Sequence, residues 1–500
     1  MIRTVVLNVV GLTPALLGPH TPRLEAYRQA GAMARIRPAF PAVTCTAQSD
    51  YLTGRRPAEH GIVGNGWFNR ELAEVQFWKQ SNHLVQGRKV WEELREQSIA
   101  RKAERAAAAP PSAVWTPQAE PLRDFTVAKL FWWFNMYSTA DYSITPRPIY
   151  PADGCKVFDI YSWPFSIRPE IKQDLGEFPF AAFWGPAAGV PSPQGAPDAA
   201  SRWIAESAKW IERKFQPTLS LVYLPHLDYN LQRHGPFLAS PARALNPAVL
   251  PDLRAIDALV GDLLDFFRER GVQVLLVSEY GLTNVGTPIH LNRLFRERGW
   301  LTVKDELGLD VLDCGASRVF AVADHQVAHV YCQDVALKHE VRSLLESLSG
   351  VDQVLGRKEK AALGLSHPRA GDYVAVAKES AWFTYYYWLD DAQAPDFARC
   401  VDIHRKPGYD PVDLFLDPKV PAVKLRILWR LLQKRLGFRT LMDVVPLDAT
   451  LVKGSHGRRP ASSDDWPVLI GPANVALPAS PLESTEVYGV VKRAVLGREN

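Results

Sequence analysis

The sequence has little net charge and no long hydrophobic run. Its 58 lysine and arginine residues nearly balance 54 aspartate and glutamate residues, which leaves a net charge of +4 on 500 residues. So small a charge excludes a strong field of one sign, so we do not expect nucleic acid as an obligate partner. No stretch reaches the roughly 18 uninterrupted apolar residues of a membrane-crossing helix, so no transmembrane segment is predicted.

Cysteine is also scarce, and no export signal is evident. The five cysteines are scattered along the chain without a Cys-x-x-Cys pair. An odd, scattered set favours reduced thiols over a disulfide framework. Residues 1–11 lack the charged start, apolar middle and small-residue cleavage site of an export signal. We therefore expect a cytoplasmic protein.

Hydrophobic residues make up 47% of the chain and charged residues 22%. This balance is typical of globular proteins with a large core. The length is about three times the 150-residue prior for one domain, which indicates several domains or one elaborated α/β domain.

Three continuous apolar runs indicate strands buried on both faces of a parallel sheet. They are Thr4 to Val10, Thr218 to Leu224 and Val272 to Val277, and helix-like stretches precede the last two. Alternation of helix and buried strand predicts an α/β fold with a doubly wound, mostly parallel sheet. Ligands of such sheets gather at the carboxyl ends of the strands, where Asp228 and Glu279 stand.

The domain organisation is predicted from changes in pattern along the chain. Residues 1–310 form the main domain and include an aromatic-rich insertion near 100–200, whose rings we expect to pack in the core. Shorter alternating runs between 311 and 400 predict an inserted, cap-like α+β subdomain. Residues 401–500 return to the main domain.

The segment Lys424 to Arg439 (KLRILWRLLQKRLGFR) predicts an amphipathic helix. Leu425, Leu428, Leu432 and Leu436 share one face, with basic residues around it. We expect a helix docked on the surface by this face, and the alternatives are contact with an anionic membrane or with a partner helix.

The segment Phe40 to Gly54 (FPAVTCTAQSDYLTG), followed by HGIVGN at 60–65, carries the chemistry. Thr44 or Thr46 is placed to cap a helix that runs through 47–52. A hydroxyl at a helix N-terminus lies in a positive dipole field, which stabilises an alkoxide and attracts phosphate. The residues alone leave a capping role and a nucleophilic role open.

The segment closely resembles the nucleophile region of type I phosphodiesterases and nucleotide pyrophosphatases, which belong to the alkaline phosphatase superfamily and include phosphonoacetate hydrolases. An ungapped comparison implies that Thr44 is the nucleophile and that Asn65 holds a phosphoryl oxygen. A late segment, Gly454-Ser455-His456-Gly457, resembles the region of the family's last metal-binding histidine.

The resemblance also implies a pair of divalent ions that clamp the attacking and leaving oxygens. Asp228 and His456 match family ligands, and Glu279 is a conservative change. Three other ligand positions differ: Val10, Gln232 and Tyr280. We therefore expect a divalent metal cofactor, zinc, manganese or magnesium, with one ion held better than the other.

Other residues are candidates for the lost ligands and for substrate binding. His226, His234 and His404 are possible replacement ligands, although hydrogen-bonded histidines outside the site are the alternative. His404, Arg405 and Lys406 lie before a turn and are candidates to bind an anionic substrate. A salt-bridged loop is the alternative for this run.

Three functions are consistent with these residues. The first is a hydrolase of phosphodiester, pyrophosphate or phosphonate bonds that acts on a small phosphorylated or phosphonate substrate with a threonine nucleophile and a divalent metal. The second is an enzyme of the same fold with an altered or absent metal and another leaving group. The third is a non-catalytic binder of a phosphorylated ligand. Retention of Thr44, Asn65, Asp228 and His456 favours the first.

Overall fold

The computed structural model describes residues 1–108, 124–190, 199–238, 243–478 and 481–497. Its strands, numbered in chain order, are β1 (Thr4–Val9), β2 (Gly31–Arg37), β3 (Gly66–Asn69), β4 (Glu74–Phe77), β5 (Val127–Leu130), β6 (Tyr142–Pro146), β7 (Ile160–Trp163), β8 (Leu219–Leu224), β9 (Gln273–Val277), β10 (Thr283–Asn284), β11 (Thr287–Ile289), β12 (Thr302–Glu306), β13 (Leu309–Asp313), β14 (Val319–Asp324), β15 (Val327–Cys332), β16 (Val351–Leu355), β17 (Tyr373–Ala377), β18 (Ala381–Phe383), β19 (Gly454–Ser455), β20 (Val468–Pro472) and β21 (Leu482–Glu483).

The α-helices are α1 (Pro22–Ala30), α2 (Thr44–Thr53), α3 (Pro57–His60), α4 (Val90–Ala108), α5 (Ile167–Leu175), α6 (Phe180–Phe183), α7 (Ala199–Phe215), α8 (His226–His234), α9 (Leu250–Glu269), α10 (Leu291–Glu297), α11 (Lys338–Ser347), α12 (Arg357–Ala362), α13 (Val423–Arg435) and α14 (Val487–Leu496). Within the described ranges, no helix combines the length and apolarity needed to cross a membrane.

A nine-stranded sheet forms the centre of the described structure, in the order β21-β2-β20-β9-β1-β8-β5-β6-β7. Strand β1 lies between β8 and β9 and is parallel to both, with Val6 beside Leu221 and Leu275. All six residues of β1 are buried, which explains its unbroken apolar run. The predicted α/β fold with a mostly parallel sheet is confirmed.

Helices cover this sheet in two groups. Helices α7 and α9 pack on each other and on β8 and β9, whereas α14 packs on α2, α4 and β1. Because α2 lies inside the second group, all ten of its residues are buried. The helix that carries Thr44 is therefore a core element, held by contacts along its whole length.

A smaller antiparallel sheet, β14-β15-β17-β16, lies between residues 319 and 377 and has its own hydrophobic core. This range falls inside the segment predicted as an inserted subdomain. The hairpin of β14 and β15 turns at His325 and Gln326. It contacts the main domain there, since the backbone N–H of Gln326 donates to the backbone carbonyl of His456 at 2.8 Å.

Two other segments add strands to the central sheet. The aromatic-rich region supplies β5, β6 and β7, and Phe131 packs among rings such as Phe178 and Trp203. The C-terminal region supplies β20 and β21. The boundaries at 310 and 400 stay predictions, since the smaller sheet ends before 400 and its contacts with the main domain are extensive.

The predicted helix near 424–439 forms as α13, but the expected docking of its leucine face was wrong. None of its residues is buried, and its leucines point to solvent. Ion pairs on the opposite face hold the helix in place, because Arg426 and Arg430 both pair with Asp443.

Candidate active site

A small cavity of about 50 Å³ lies where the carboxyl ends of β8 and β9 meet the start of α2. Aromatic side chains dominate its wall, together with a hydroxyl, a carboxylate and an imidazole. The lining residues are Thr44, Trp78, Trp133, Phe183, Trp184, Tyr223, Asp228, Tyr229, Tyr280, His325, Ile403 and Tyr409.

Thr44 is the first residue of α2, and Val43 occupies the N-cap position. The predicted helix through 47–52 is present, but neither Thr44 nor Thr46 caps it, because the helix already includes both residues and its N-cap side chain makes no capping bond. The Thr44 hydroxyl lies 3.4 Å from the Tyr280 hydroxyl, and both line the cavity. Thr46 instead donates to the Ile62 carbonyl at 3.3 Å. Of the two hydroxyls, only that of Thr44 faces the cavity.

Asn65 holds the start of α2 and links it to the smaller sheet. Its side-chain oxygen accepts from the Cys45 amide at 3.0 Å. Its backbone and side-chain nitrogens donate to the two oxygens of Asp324, at 2.7 and 3.1 Å. Asn65 is therefore engaged on both sides by protein groups, and it fixes the position of the residue next to Thr44.

Asp228 and Gln232 lie one turn apart on α8, which directly follows β8. The segment His226–His234 is helical throughout. The (i, i+4) spacing brings the Gln232 amide to one oxygen of Asp228 at 2.6 Å, and the Tyr280 hydroxyl donates to the other at 3.4 Å. The Gln232 carbonyl accepts from the Tyr409 hydroxyl at 3.0 Å, which fixes the amide so that its NH₂ group faces Asp228.

Glu279, directly after β9, has a similar environment. One of its oxygens accepts from the amides of Asn8, at 2.5 Å, and Gln48, at 2.6 Å. The Gln48 carbonyl in turn accepts from the Trp133 backbone amide at 2.6 Å, so its NH₂ group must face Glu279. The other carboxylate oxygen has no hydrogen-bond partner among the described residues.

A row of four rings connects the late histidine to the cavity. Tyr280 stacks on His456 with 3.5 Å between centroids. His325 is tilted by 36° to His456 at 3.6 Å and stacks on Tyr409 at 3.5 Å. His456 Nδ1 bonds the Ala42 carbonyl at 2.8 Å, just before α2. Of the predicted site residues, Thr44 and Asp228 line the cavity, His456 lies behind it on the ring of Tyr280, and Glu279 is hydrogen-bonded to Gln48 of α2.

His325 is a residue of the site that the sequence did not predict. Its Nδ1 donates to Asp324 at 2.8 Å, and its Nε2 is buried at the cavity without a hydrogen-bond partner among the described residues. The residue has φ of +62° in the two-residue turn between β14 and β15, a position that glycine normally occupies. The one feature of the sequence that could have indicated this role is the histidine in ADHQV, between two alternating runs.

Burial shifts the titration of the acids and imidazoles at this site. Desolvation raises the pKa of Asp228 to about 7, that of Glu279 to about 8 and that of Asp324 to about 6. Desolvation also keeps the pKa of His325 and His456 well below the usual range of histidine. Each shift is toward the uncharged form because the surroundings offer too little water to solvate a charge, and a pKa of about 7 lets Asp228 both accept and release a proton near neutral pH.

The three predicted substrate-binding residues do not line the cavity. Lys406 is buried in ion pairs with Asp410 and Asp413, both at 2.6 Å. Arg405 pairs with Asp396 near the surface, and His404 Nδ1 lies 3.4 Å from the Phe77 carbonyl. The salt-bridged loop considered as the alternative describes this run, and we do not propose the three residues as substrate ligands.

The candidate replacement ligands also lie elsewhere. His226 is buried with Nε2 3.0 Å from Asp252, and His234 ends α8 outside the cavity lining. The sequence did not define where the side chains of His226 and His234 point, because their spacing did not show that the segment is a helix.

The residues present do not fit the family's pair of metal ions. Among the described residues, no three His, Cys, Asp or Glu side chains come together as a metal-binding group. The amides of Gln232 and Gln48 are fixed with their N–H groups toward the two carboxylates, where a cation would meet hydrogen-bond donors. Val10 and Tyr280 supply neither a carboxylate nor an imidazole.

Comparison with solved structures identifies the fold. The chain is similar to phosphonoacetate hydrolase from Sinorhizobium meliloti 1021 in complex with phosphonoformate, with 15% identity, a TM-score of 0.54 and coverage of 99% of this chain and 96% of that one. It is also similar to murine ectonucleotide pyrophosphatase/phosphodiesterase 5, with 13% identity, a TM-score of 0.54 and coverage of 99% and 95%. The human form of that protein gives 12%, 0.53, 100% and 96%. The fold is that of the alkaline phosphatase superfamily.

The sequence profile of the type I phosphodiesterase / nucleotide pyrophosphatase family matches residues 4–410. The chain belongs to this family, as the resemblance of its nucleophile segment implied, and is a hydrolase of that class. A search of curated proteins gave no match. Metal dependence is a property of the family's members, and the changed donors described above set this chain apart from them.

Proposed function

We propose that the protein hydrolyses a phosphodiester, pyrophosphate or phosphonate bond of a small substrate, with Thr44 as the nucleophile and without the family's paired ions. The observation that carries the proposal is the Thr44 hydroxyl, which begins a buried helix and faces the cavity. The partial positive charge at the N-terminus of α2 favours an anionic phosphoryl group beside it.

The geometry supplies a route for the nucleophile's proton. The Tyr280 hydroxyl lies 3.4 Å from both the Thr44 oxygen and an Asp228 oxygen. As the Thr44 oxygen bonds phosphorus, its proton passes to Tyr280 while the Tyr280 proton passes to Asp228. The bond from phosphorus to the leaving group breaks, and the leaving group takes a proton from Asp228 as it departs. Water then cleaves the phosphothreonine, which gives free phosphate or phosphate monoester and restores the Thr44 hydroxyl.

His325 completes the site in this proposal as a substrate-contacting residue. Because Nδ1 donates to Asp324, the lone pair of Nε2 is directed at the cavity. There it accepts a hydrogen bond from the substrate. The aromatic wall of Trp78, Trp133 and Trp184 suits an apolar or planar leaving group, because large rings bind mainly through buried area.

The test compares isosteric variants that remove one hydroxyl each. Thr44→Val should lower the hydrolysis of a chromogenic aryl phosphodiester and of an aryl phosphonate monoester by more than about 10³-fold, the scale seen when a nucleophile is removed. Thr46→Val is the matched control, since its hydroxyl contacts only the Ile62 carbonyl. Thr44→Ser should keep part of the activity. Equal rates in Thr44→Val and the unaltered protein would exclude Thr44 as the nucleophile.

A further inference from the structure

Helix α13 presents most of its large apolar residues to solvent, whereas two of its arginines, Arg426 and Arg430, face the protein. Leu425, Leu428, Trp429, Leu432 and Leu436 are each between 44% and 67% exposed. They recur at spacings of three and four residues and therefore share one face of the helix. This arrangement is the reverse of an ordinary surface helix, which buries its apolar stripe.

Specific contacts fix this reversed orientation. Arg426 and Arg430 point toward the body of the protein and both pair with Asp443, and Arg430 also donates to Gln433 at 3.1 Å. These contacts keep the opposite face outward. The exposed leucines are thus a property of the folded chain.

The apolar surface continues beyond the helix. Phe438 and Leu441, after α13, are 63% and 50% exposed. We call this set, α13 with Leu436, Phe438 and Leu441, the leucine face. Apolar patches of such extent on a folded protein mark a surface that binds something.

The charge around the leucine face selects its partner. The segment 418–442 contains seven basic residues and no aspartate or glutamate. Arg426 and Arg430 pair with Asp443, and among the described residues the other five form no salt bridge: Lys419, Lys424, Lys434, Arg435 and Arg439. Two copies of the chain packed face to face would place these cations against each other, whereas anionic lipid headgroups would neutralise them.

We propose that the leucine face lies on an anionic lipid surface. At 13 residues, α13 is about 20 Å long, too short to cross a bilayer core of about 30 Å. Its leucines and Trp429 would enter the acyl boundary while the lysines and arginines meet the headgroups, the arrangement of an interfacial helix. The proposal stands independently of the chemistry at Thr44.

Co-sedimentation of the full chain with lipid vesicles tests the proposal. We expect the protein to pellet with phosphatidylcholine vesicles that contain about one third phosphatidylglycerol, and to bind pure phosphatidylcholine at least about tenfold more weakly. The double variant Leu428→Glu/Leu432→Glu should lose binding to the anionic vesicles by at least about tenfold. Both side chains are exposed, so the fold does not depend on them.

The matched control is Leu307→Glu, which changes a fully exposed leucine in another part of the molecule and should bind like the unaltered protein. Failure of the unaltered protein to bind anionic vesicles would overturn the proposal. So would equal binding by the double variant, or a dimer in solution that the double variant abolishes, since the leucine face would then join two copies of the chain.

Discussion

At the residue scale, an amide and a phenol occupy two positions where the resemblance implies metal ligands. These residues, Gln232 and Tyr280, donate to Asp228, and two other amides, those of Asn8 and Gln48, donate to Glu279. A carboxylate that accepts bonds from fixed amides no longer needs a cation to be satisfied. The protein thus keeps the carboxylates and changes what stabilises them.

Glu279→Gln tests this description through stability. Glu279 faces Asn8 on β1, Gln48 and Thr44 on α2, and Asp228 on α8, and burial raises its pKa to about 8. Because the folded pKa lies above the unfolded value of about 4.3, this group's contribution to stability is present below that value and is lost as the pH rises through about 8. The glutamine variant avoids the loss.

We expect the melting temperature of Glu279→Gln to exceed that of the unaltered protein above pH 8, with a difference that shrinks toward pH 5. Thermal melts across this range measure it, and Glu59→Gln on the surface is the control. A variant that is less stable at pH 9 would show that the site needs the negative charge of Glu279.

At the element scale, a hairpin turn of the smaller sheet completes the site of the larger one. The turn between β14 and β15 places Asp324 on Asn65 and His325 on His456. His325 adopts a left-handed backbone conformation there, which costs a residue with a Cβ about 1 kcal/mol. Strain of this kind concentrates at functional sites.

The pair His325→Gly and His325→Ala separates backbone strain from the role of the imidazole. Both variants lack the ring and should lose activity equally, by about 10²-fold if His325 contacts the substrate. Glycine accommodates the positive φ, so His325→Gly should be more stable than His325→Ala by about 1 kcal/mol. Urea unfolding monitors stability. Equal stabilities would mean that the turn relaxes, and unchanged activity would remove His325 from the site.

At the scale of the whole molecule, a site that does not fit the family's two metal ions has a measurable consequence. A ligand that binds only the folded state raises the melting temperature in proportion to its occupancy. Bound metal ions should therefore raise the melting temperature of family members that hold two of them. The described residues of this chain form no metal-binding group, so we expect no such rise here.

We expect zinc, manganese or magnesium at up to about 100 μM to leave the melting temperature of the chelator-treated protein unchanged. The triple variant Val10→Asp/Gln232→His/Tyr280→His restores the family's ligands and should gain a metal-dependent increase. Elemental analysis of both proteins is the second measurement. A stoichiometric metal in the unaltered protein would contradict our description of the site.

The sequence by itself determined much of the frame. Continuous apolar runs identified β1, β8 and β9, because strands buried on both faces tolerate few polar residues. The spacing from Phe40 to Asn65 identified the family and singled out Thr44, because a local segment forms that part of the site. These features depend on short-range pattern, which the sequence displays directly.

Only the tertiary structure decided which groups meet. His325 reaches the site from a sheet about 280 residues away from Thr44 along the chain, and Tyr409 fixes the orientation of Gln232 from 177 residues away. No local pattern records such contacts. The leucines of α13 point outward for the same reason: their period defines a face, but Asp443, on a different segment, decides which face the protein binds.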